Sequence, residues 1–201
     1  MRARTLAVAL SAGLFSLAAL AQPAPPTRVR GTIAAVDAQT LTVTSRDGQT
    51  LAIRLGDPLA VAAMKKVDLA SVGAGTYIGT ATRPGPNGSL TAIEVLVFPE
   101  TMRGAGEGHY AWDLEPESTM TNGTVSGVVS ATAGRELAIT YKGGSNTVTV
   151  PADVPVVTFA PAERADLTPG ATVFLAATKN AEGQLTASRV TVSKDGVAPP
   201  M

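Results

Sequence analysis

The chain has 201 residues, 16 basic and 16 acidic side chains, one histidine and no cysteine. Balanced charge leaves no electrostatic footprint for a phosphate backbone, which excludes nucleic acid as a partner. Without cysteine there are no disulfide staples and no lipid-modified cysteine, so the fold must rest on a true core; with only 4% aromatic residues, that core must be Val, Leu, Ile and Ala.

The chain opens on a short basic start containing Arg2 and Arg4, followed by an apolar run over residues 6–20 and a small-x-small site at Ala19-Leu20-Ala21. This pattern predicts an export signal over residues 1–21, cleaved before Gln22. The run is shorter than the roughly 20 residues needed to span a bilayer, and prolines follow it at 23, 25 and 26. The mature chain is therefore expected in the periplasm or outside the cell, with no stable membrane insertion. Removing 21 of 201 residues leaves 180, with 14 basic and 16 acidic side chains.

Residues 22–27 read as a Pro-rich tether. From Val29 the hydrophobic period becomes two, the mark of strands with one buried face. Residues 28–36 read as a strand, Leu41 and Val43 alternate with threonines in a second, and Leu51, Ile53 and Leu55 alternate in a third. Asp47-Gly48 between the last two is a hairpin signal, because a type I′ turn needs positive φ. Asp57-Pro58 supplies an N-cap and a first-turn proline, which predicts a short helix with Leu59, Ala63 and Val67 on one side. Residues 76–82 and 89–97 read as two further strands around the turn Pro84-Gly85-Pro86-Asn87-Gly88.

The second half repeats this order. Val29-Arg30-Gly31-Thr32 answers to Val125-Ser126-Gly127-Val128, Leu41 and Val43 to Leu137 and Ile139, Leu69 to Leu167, and Tyr77-Ile78 to Phe174-Leu175. The spacing holds between 95 and 98 along the whole repeat, which predicts an internal duplication. The expected fold is all-β: two tandem five-stranded OB-like barrels over residues 28–97 and 123–194, each with a short helix between strands three and four. A long connector, residues 98–122, joins them, and residues 195–201 form a tail.

The motif Gly-Thr-(apolar)-x-Ala-Val-Asp with Leu-Thr-Val and Asp-Gly-Gln-Thr, over residues 31–50, its ending Leu-Thr-Ala-x-x-Val at residues 90–95 and the form Leu-Thr-Pro-Gly-Ala-x-Val at residues 167–173 resemble a bacterial domain of unknown function. That domain occurs in exported proteins, often in tandem. The connector is similar to the middle segment of small exported proteobacterial proteins sometimes named metal transporter permeases. A chain without spanning helices after its signal departs from the permease part of that name.

The connector holds the only histidine, His109, and the only tryptophan, Trp112. Structureless loops this long are uncommon inside compact domains and are usually functional or disordered, and this one carries more large apolar groups than a solvated linker. Tyr110, Trp112 and Leu114 are spaced two apart, so an extended run points all three at a barrel and leaves His109 and Asp113 on the other side. Arg103, Tyr110 and Trp112 are the candidate partner-binding residues. Glu107, His109 and Asp113 are candidate ligands for zinc, and Met102 and Met120 with His109 would instead suit copper(I). No single regular conformation gathers all three of Glu107, His109 and Asp113.

With one imidazole and no nucleophile elbow, catalysis has little to work with, and no cofactor is expected beyond that zinc or copper. The sequence reading is a non-enzymatic binding or accessory protein of the cell envelope, its partner an envelope protein or peptide. The alternative is a periplasmic metal-binding protein with its site around His109.

Overall fold

The computed structural model describes residues 25–85, 88–131 and 134–199, the side chain of Ala131 excepted. The export signal, part of the tether, Pro86-Asn87 of the expected turn and the last two residues lie outside them.

Among the described residues the fold is all-β, with no helix as long as seven residues. Twelve strands follow in order: β1 (Thr27–Val36), β2 (Thr40–Ser45), β3 (Thr50–Lys66), β4 (Tyr77–Pro84), β5 (Leu90–Val97), β6 (Gly108–Ala111), β7 (Thr119–Ala131), β8 (Gly134–Tyr141), β9 (Gly144–Pro151), β10 (Val156–Pro161), β11 (Thr172–Lys179) and β12 (Leu185–Val192). Two three-residue 3-10 turns, Leu69–Ser71 and Arg164–Asp166, precede β4 and β11.

The pairing crosses between the repeats. β1, β2 and β3 do not close with β4 and β5, which follow them in the chain. They close with β11 and β12: β1 runs antiparallel to β11, and β12 runs parallel to β3. The ring β1-β2-β3-β12-β11 is a closed five-stranded barrel. The remaining long strands make a second circuit, β4-β7-β8-β9-β5, which β5 and β9 close in parallel through Leu90↔Val148 and Thr91↔Thr149. The contiguous units expected over residues 28–97 and 123–194 therefore do not coincide with the hydrogen bonding. Each ring takes three strands from one repeat and two from the other.

The long strand β3 carries this exchange. Its 17 residues span roughly 55 Å at about 3.3 Å per residue, far more than one small barrel needs. The Asp57-Pro58 pair expected to start a helix lies inside β3, where the register against β12 shifts between Ala187 and Arg189 as Ala187 faces Leu55 and Arg189 faces Ala60. The unpaired residues make a bulge, which tolerates a proline because no ladder donor is needed there. Beyond the bulge β3 runs on beside β10, with Ala63 facing Ala160, and delivers the chain to the other ring.

Three apolar clusters follow. Ile33, Leu41, Val43, Ile53, Val173 and Leu175 fill the first barrel together with Leu167, while Ile78, Val95, Val125, Leu137, Ile139 and Val148 fill the second circuit, against which Leu69 packs. Leu69 and Leu167 thus each close the ring opposite their own repeat's first three strands. Met64, Leu96 and Val157 form a third cluster with Phe98 and Phe159 between the rings, so the outer face of β5 is buried as well as its inner face.

The first strand of the repeat needs one correction. Thr32↔Thr44 and Ile33↔Val43 on β1–β2 correspond to Thr124↔Thr140 and Val125↔Ile139 on β7–β8, and a bulge follows at the same step in both. Gly31-Thr32-Ile33 therefore answers to Gly123-Thr124-Val125, four residues earlier than the spacing of the later strands implies. A Cβ on Gly31 would stand 2.1 Å from the Thr44 carbonyl oxygen, and one on Gly123 2.5 Å from that of Thr140. The same close backbone approach demands glycine at both places. In this register Arg30 and Asn122 are equivalent positions.

Candidate functional site

Residues 98–118 cross between the rings as a strap. Within it β6 pairs with the start of β7, Tyr110 opposite Met120, so residues 119–122 belong to a core strand and not to the connector. Burial alternates from Gly108 to Glu115, with Tyr110, Trp112 and Leu114 turned inward and His109, Ala111 and Asp113 outward. The spacing of two in the sequence is this pleat.

Several anchors hold the strap. Phe98 packs against Tyr77 and Phe159 at ring separations of 5.4 and 6.1 Å. The Ala105 carbonyl accepts from the Tyr77 hydroxyl at 3.1 Å and from the Asn122 amide at 3.2 Å. Gly106 lies over that amide with φ +59°, and a Cβ there would meet Asn122 Nδ2 at 2.8 Å. Arg103 is a clamp: it donates to the Glu100 carboxylate, to the Gly75 carbonyl at 2.9 Å and to Thr124 Oγ1 at 3.3 Å. Tyr110 accepts from Asn122 Nδ2 at 3.3 Å and meets Trp112 edge-on.

The strap ends on the first barrel. Val29 and Ile33 of β1 point into the core, so Arg28 and Arg30, at the alternate positions, point outward. The Arg28 guanidinium lies 3.9 Å from the centre of the Trp112 ring, and that of Arg30 sits between Trp112 at 5.5 Å and Phe174 at 5.1 Å. Asp113 bridges both, 3.0 Å from Arg30 Nη2 and 3.6 Å from Arg28 Nη1. Burial pushes the Asp113 carboxyl up, but the hydrogen bond and charge of Arg30, with the charge of Arg28, hold it below the usual carboxylate range.

These residues stand at a groove of about 730 Å³ lined by Arg28, Arg30, Arg46, Asp47, Asp113 and Lys179 among others. Asp47 is engaged locally, accepting from Ser45 and Gln49 of its own hairpin. Arg30 is the most enclosed of the cations, its side chain 8% exposed, and its Nε has no hydrogen-bond partner.

Beneath this surface β5 buries a carboxyl group. Glu94 is 1% exposed and neither carboxyl oxygen has a hydrogen-bond partner. Burial pushes its pKa up to about 8, against the opposing pull of the Arg30 and Arg46 charges. Arg30 donates its side-chain hydrogen bond to Asp113, so the pair that would neutralise Glu94 is not made.

His109 stands on another surface. Its Nδ1 lies 2.9 Å from Thr121 Oγ1 and 3.0 Å from Asn146 Nδ2, and its ring stacks on Tyr141. Because the Asn146 amide donates to Nδ1, the neutral ring carries its proton on Nε2. Glu107 accepts from the Lys142 backbone N–H at 3.1 Å. The structure therefore does not bring Glu107, His109 and Asp113 to one centre: Asp113 is held by two arginines, and Glu107 and His109 by the β8–β9 side. Met120 is a buried core residue. No group of three metal-ligating side chains occurs among the described residues.

Sequence reasoning found the strap and its inward face but missed Arg28, Arg30, Arg46, Lys179 and Glu94. One signal was present for Glu94, a lone charge within Ala92-Ile93-Glu94-Val95-Leu96-Val97, where both faces of the strand are otherwise apolar. Comparison with protein-family models, curated proteins and solved structures found no match to this chain.

Proposed function

We propose that this is a non-enzymatic, exported binding protein of the cell envelope, built on two strand-exchanged OB-like barrels, with its ligand site in the groove where the strap meets β1. The observation that carries this reading is Arg30: a nearly buried cation at a groove of about 730 Å³, with hydrogen-bonding capacity left over. Buried polar groups ordinarily find partners, so an unspent donor beside an open groove favours recognition over mere packing. Export rests on the leader pattern of residues 1–21.

The chemistry around the imidazole favours binding over catalysis. The hydroxyl nearest His109 belongs to Thr121, which is fully buried, so a substrate has no path to that pair. The test is retention of envelope material on immobilised protein. The unmodified chain should retain a component that is lost when Arg28 and Arg46 are both changed to Glu; retention unchanged by that pair of substitutions refutes the groove as the site.

Metal binding at His109 is the competing reading, and the separation of His109 from Asp113 disfavours it. Purified protein carrying near-stoichiometric zinc or copper, lost in His109→Ala, would establish that reading instead.

A further inference from the structure

We propose that the groove is an oxyanion site which the chain masks with its own side chain: a phosphate or carboxylate group of the ligand displaces Asp113 from Arg28 and Arg30. This deepens the reading above and rests on it, since it names the chemistry of what the same groove takes.

The charge arrangement comes first. The whole chain is balanced, 16 basic against 16 acidic, yet the groove gathers Arg28, Arg30, Arg46 and Lys179 against only Asp47 and Asp113. Such a surplus arises from placement and not from composition, and a concave wall focuses the field of the charges that line it. Asp47 is turned to Ser45 and Gln49. Among the described residues no side chain makes an ion pair with Arg46 or Lys179, and the Glu94 carboxyl, on whose charge Arg30 and Arg46 act, is pushed by burial toward its neutral form.

The second observation is what Asp113 does. Its Oδ1 alone serves both arginines, with one good hydrogen bond at 3.0 Å and one looser ion pair at 3.6 Å. A guanidinium offers five N–H donors in a planar fork that matches an oxyanion two bonds at a time. One carboxylate oxygen at the edge of two such forks leaves most of this capacity unused, including the buried Nε of Arg30. Asp113 is also about half exposed, 49% at its side chain, so it can leave for water where Arg30 cannot.

The third is the aromatic backing. Trp112 and Phe174 hold Arg30 from two sides and Trp112 holds Arg28, which fixes the guanidiniums without consuming their in-plane donors. The donors are pre-oriented and only the acceptor is exchangeable. Both carboxylate-bearing and phosphate-bearing small molecules supply the required acceptor.

Trp112 is the only tryptophan and touches both arginines, so its emission reports on the site. The full chain is titrated with pyrophosphate in one arm and citrate in the other, at constant ionic strength held with sodium chloride, by Trp112 fluorescence and independently by calorimetry. Saturable binding is expected, tighter for whichever anion resembles the ligand. Asp113→Asn should tighten it by roughly tenfold, because the internal competitor loses its charge. Arg28→Gln and Arg46→Gln, both partly exposed and so tolerant of change, should each weaken it by roughly tenfold or more.

No saturable binding of either anion in both the unmodified chain and Asp113→Asn overturns the oxyanion assignment. Equal affinity of the unmodified chain and Asp113→Asn for the anion that binds overturns the masking. If the anions fail while groove-dependent retention of envelope material persists, the chemistry is wrong and the binding reading stands; if both fail, neither stands.

Discussion

Glu94 offers a quantitative test of how the two rings meet. Its carboxyl has an ordinary value of 4.5 and is raised to about 8 in the folded chain, burial being the main cause. The folded state therefore binds this proton more tightly than the unfolded state. The contribution is complete below pH 4.5, declines as pH rises toward 8, and is level above it. Each unit of difference corresponds to about 1.4 kcal/mol, so the chain should lose roughly 3 kcal/mol from this group between pH 4.5 and 7, and roughly 5 kcal/mol by pH 8.5. Against a typical total of about 5–15 kcal/mol that is a large fraction. Glu94→Gln keeps the shape and abolishes the titration. Urea unfolding at pH 5 and pH 8.5 on both proteins isolates the term, because other groups titrate alike in each. The unmodified chain should fall by several kcal/mol more than the variant between the two pH values. Parallel curves would show that Glu94 is solvated or paired, and that the outer face of β5 is not sealed against the first barrel.

Leu167 is 2% exposed in the first barrel's core, so Leu167→Ala should cost roughly 2–5 kcal/mol in urea unfolding, while the partly buried Leu69 should cost less. A chain ending at residue 97 keeps β4 and β5 but loses the β11 and β12 that close β1–β3; circular dichroism and gel filtration should find no folded monomer, and a stable monomer would refute the exchange. Trp112→Ala removes the stacking partner of Arg28 and should speed trypsin cleavage after Arg103 while far-ultraviolet dichroism stays unchanged; resistance equal to the unmodified chain would mean the strap is held elsewhere. Gly31→Ala drives a Cβ into the Thr44 carbonyl and should destabilise more than Ala35→Gly on the same strand, read by thermal unfolding.

Strand identity was legible because the period of two is a local property: side chains alternate across any pleat, whatever the strand lies beside. Leu41, Val43, Ile53, Leu137 and Ile139 point inward as their alternation requires, and the inward side of the strap follows from Tyr110, Trp112 and Leu114 in the same way. Asp57-Pro58 misled because a helix N-terminus and a strand bulge both welcome a residue without an N–H, and dipeptide chemistry cannot separate them. The four-residue shift at Gly31 and Gly123 went unseen because hairpin length changes the spacing while the glycine requirement stays with the strand.

What sequence could not decide is which copy of a strand each edge would choose. Duplicated strands present nearly the same edges to either partner, so pairing within or between repeats looks alike along the chain. The choice falls to the length of β3, 17 residues, which carries β4 away from β1 and into the other ring. From that exchange come the buried outer face of β5, the enclosed Glu94, and the approach of the strap to Arg28 and Arg30. Local alternation determined the elements; the candidate site needed long-range pairing, because the β1–β2 hairpin places residues 28 and 46 together but only the β1–β11 pairing and the strap add residues 179 and 113.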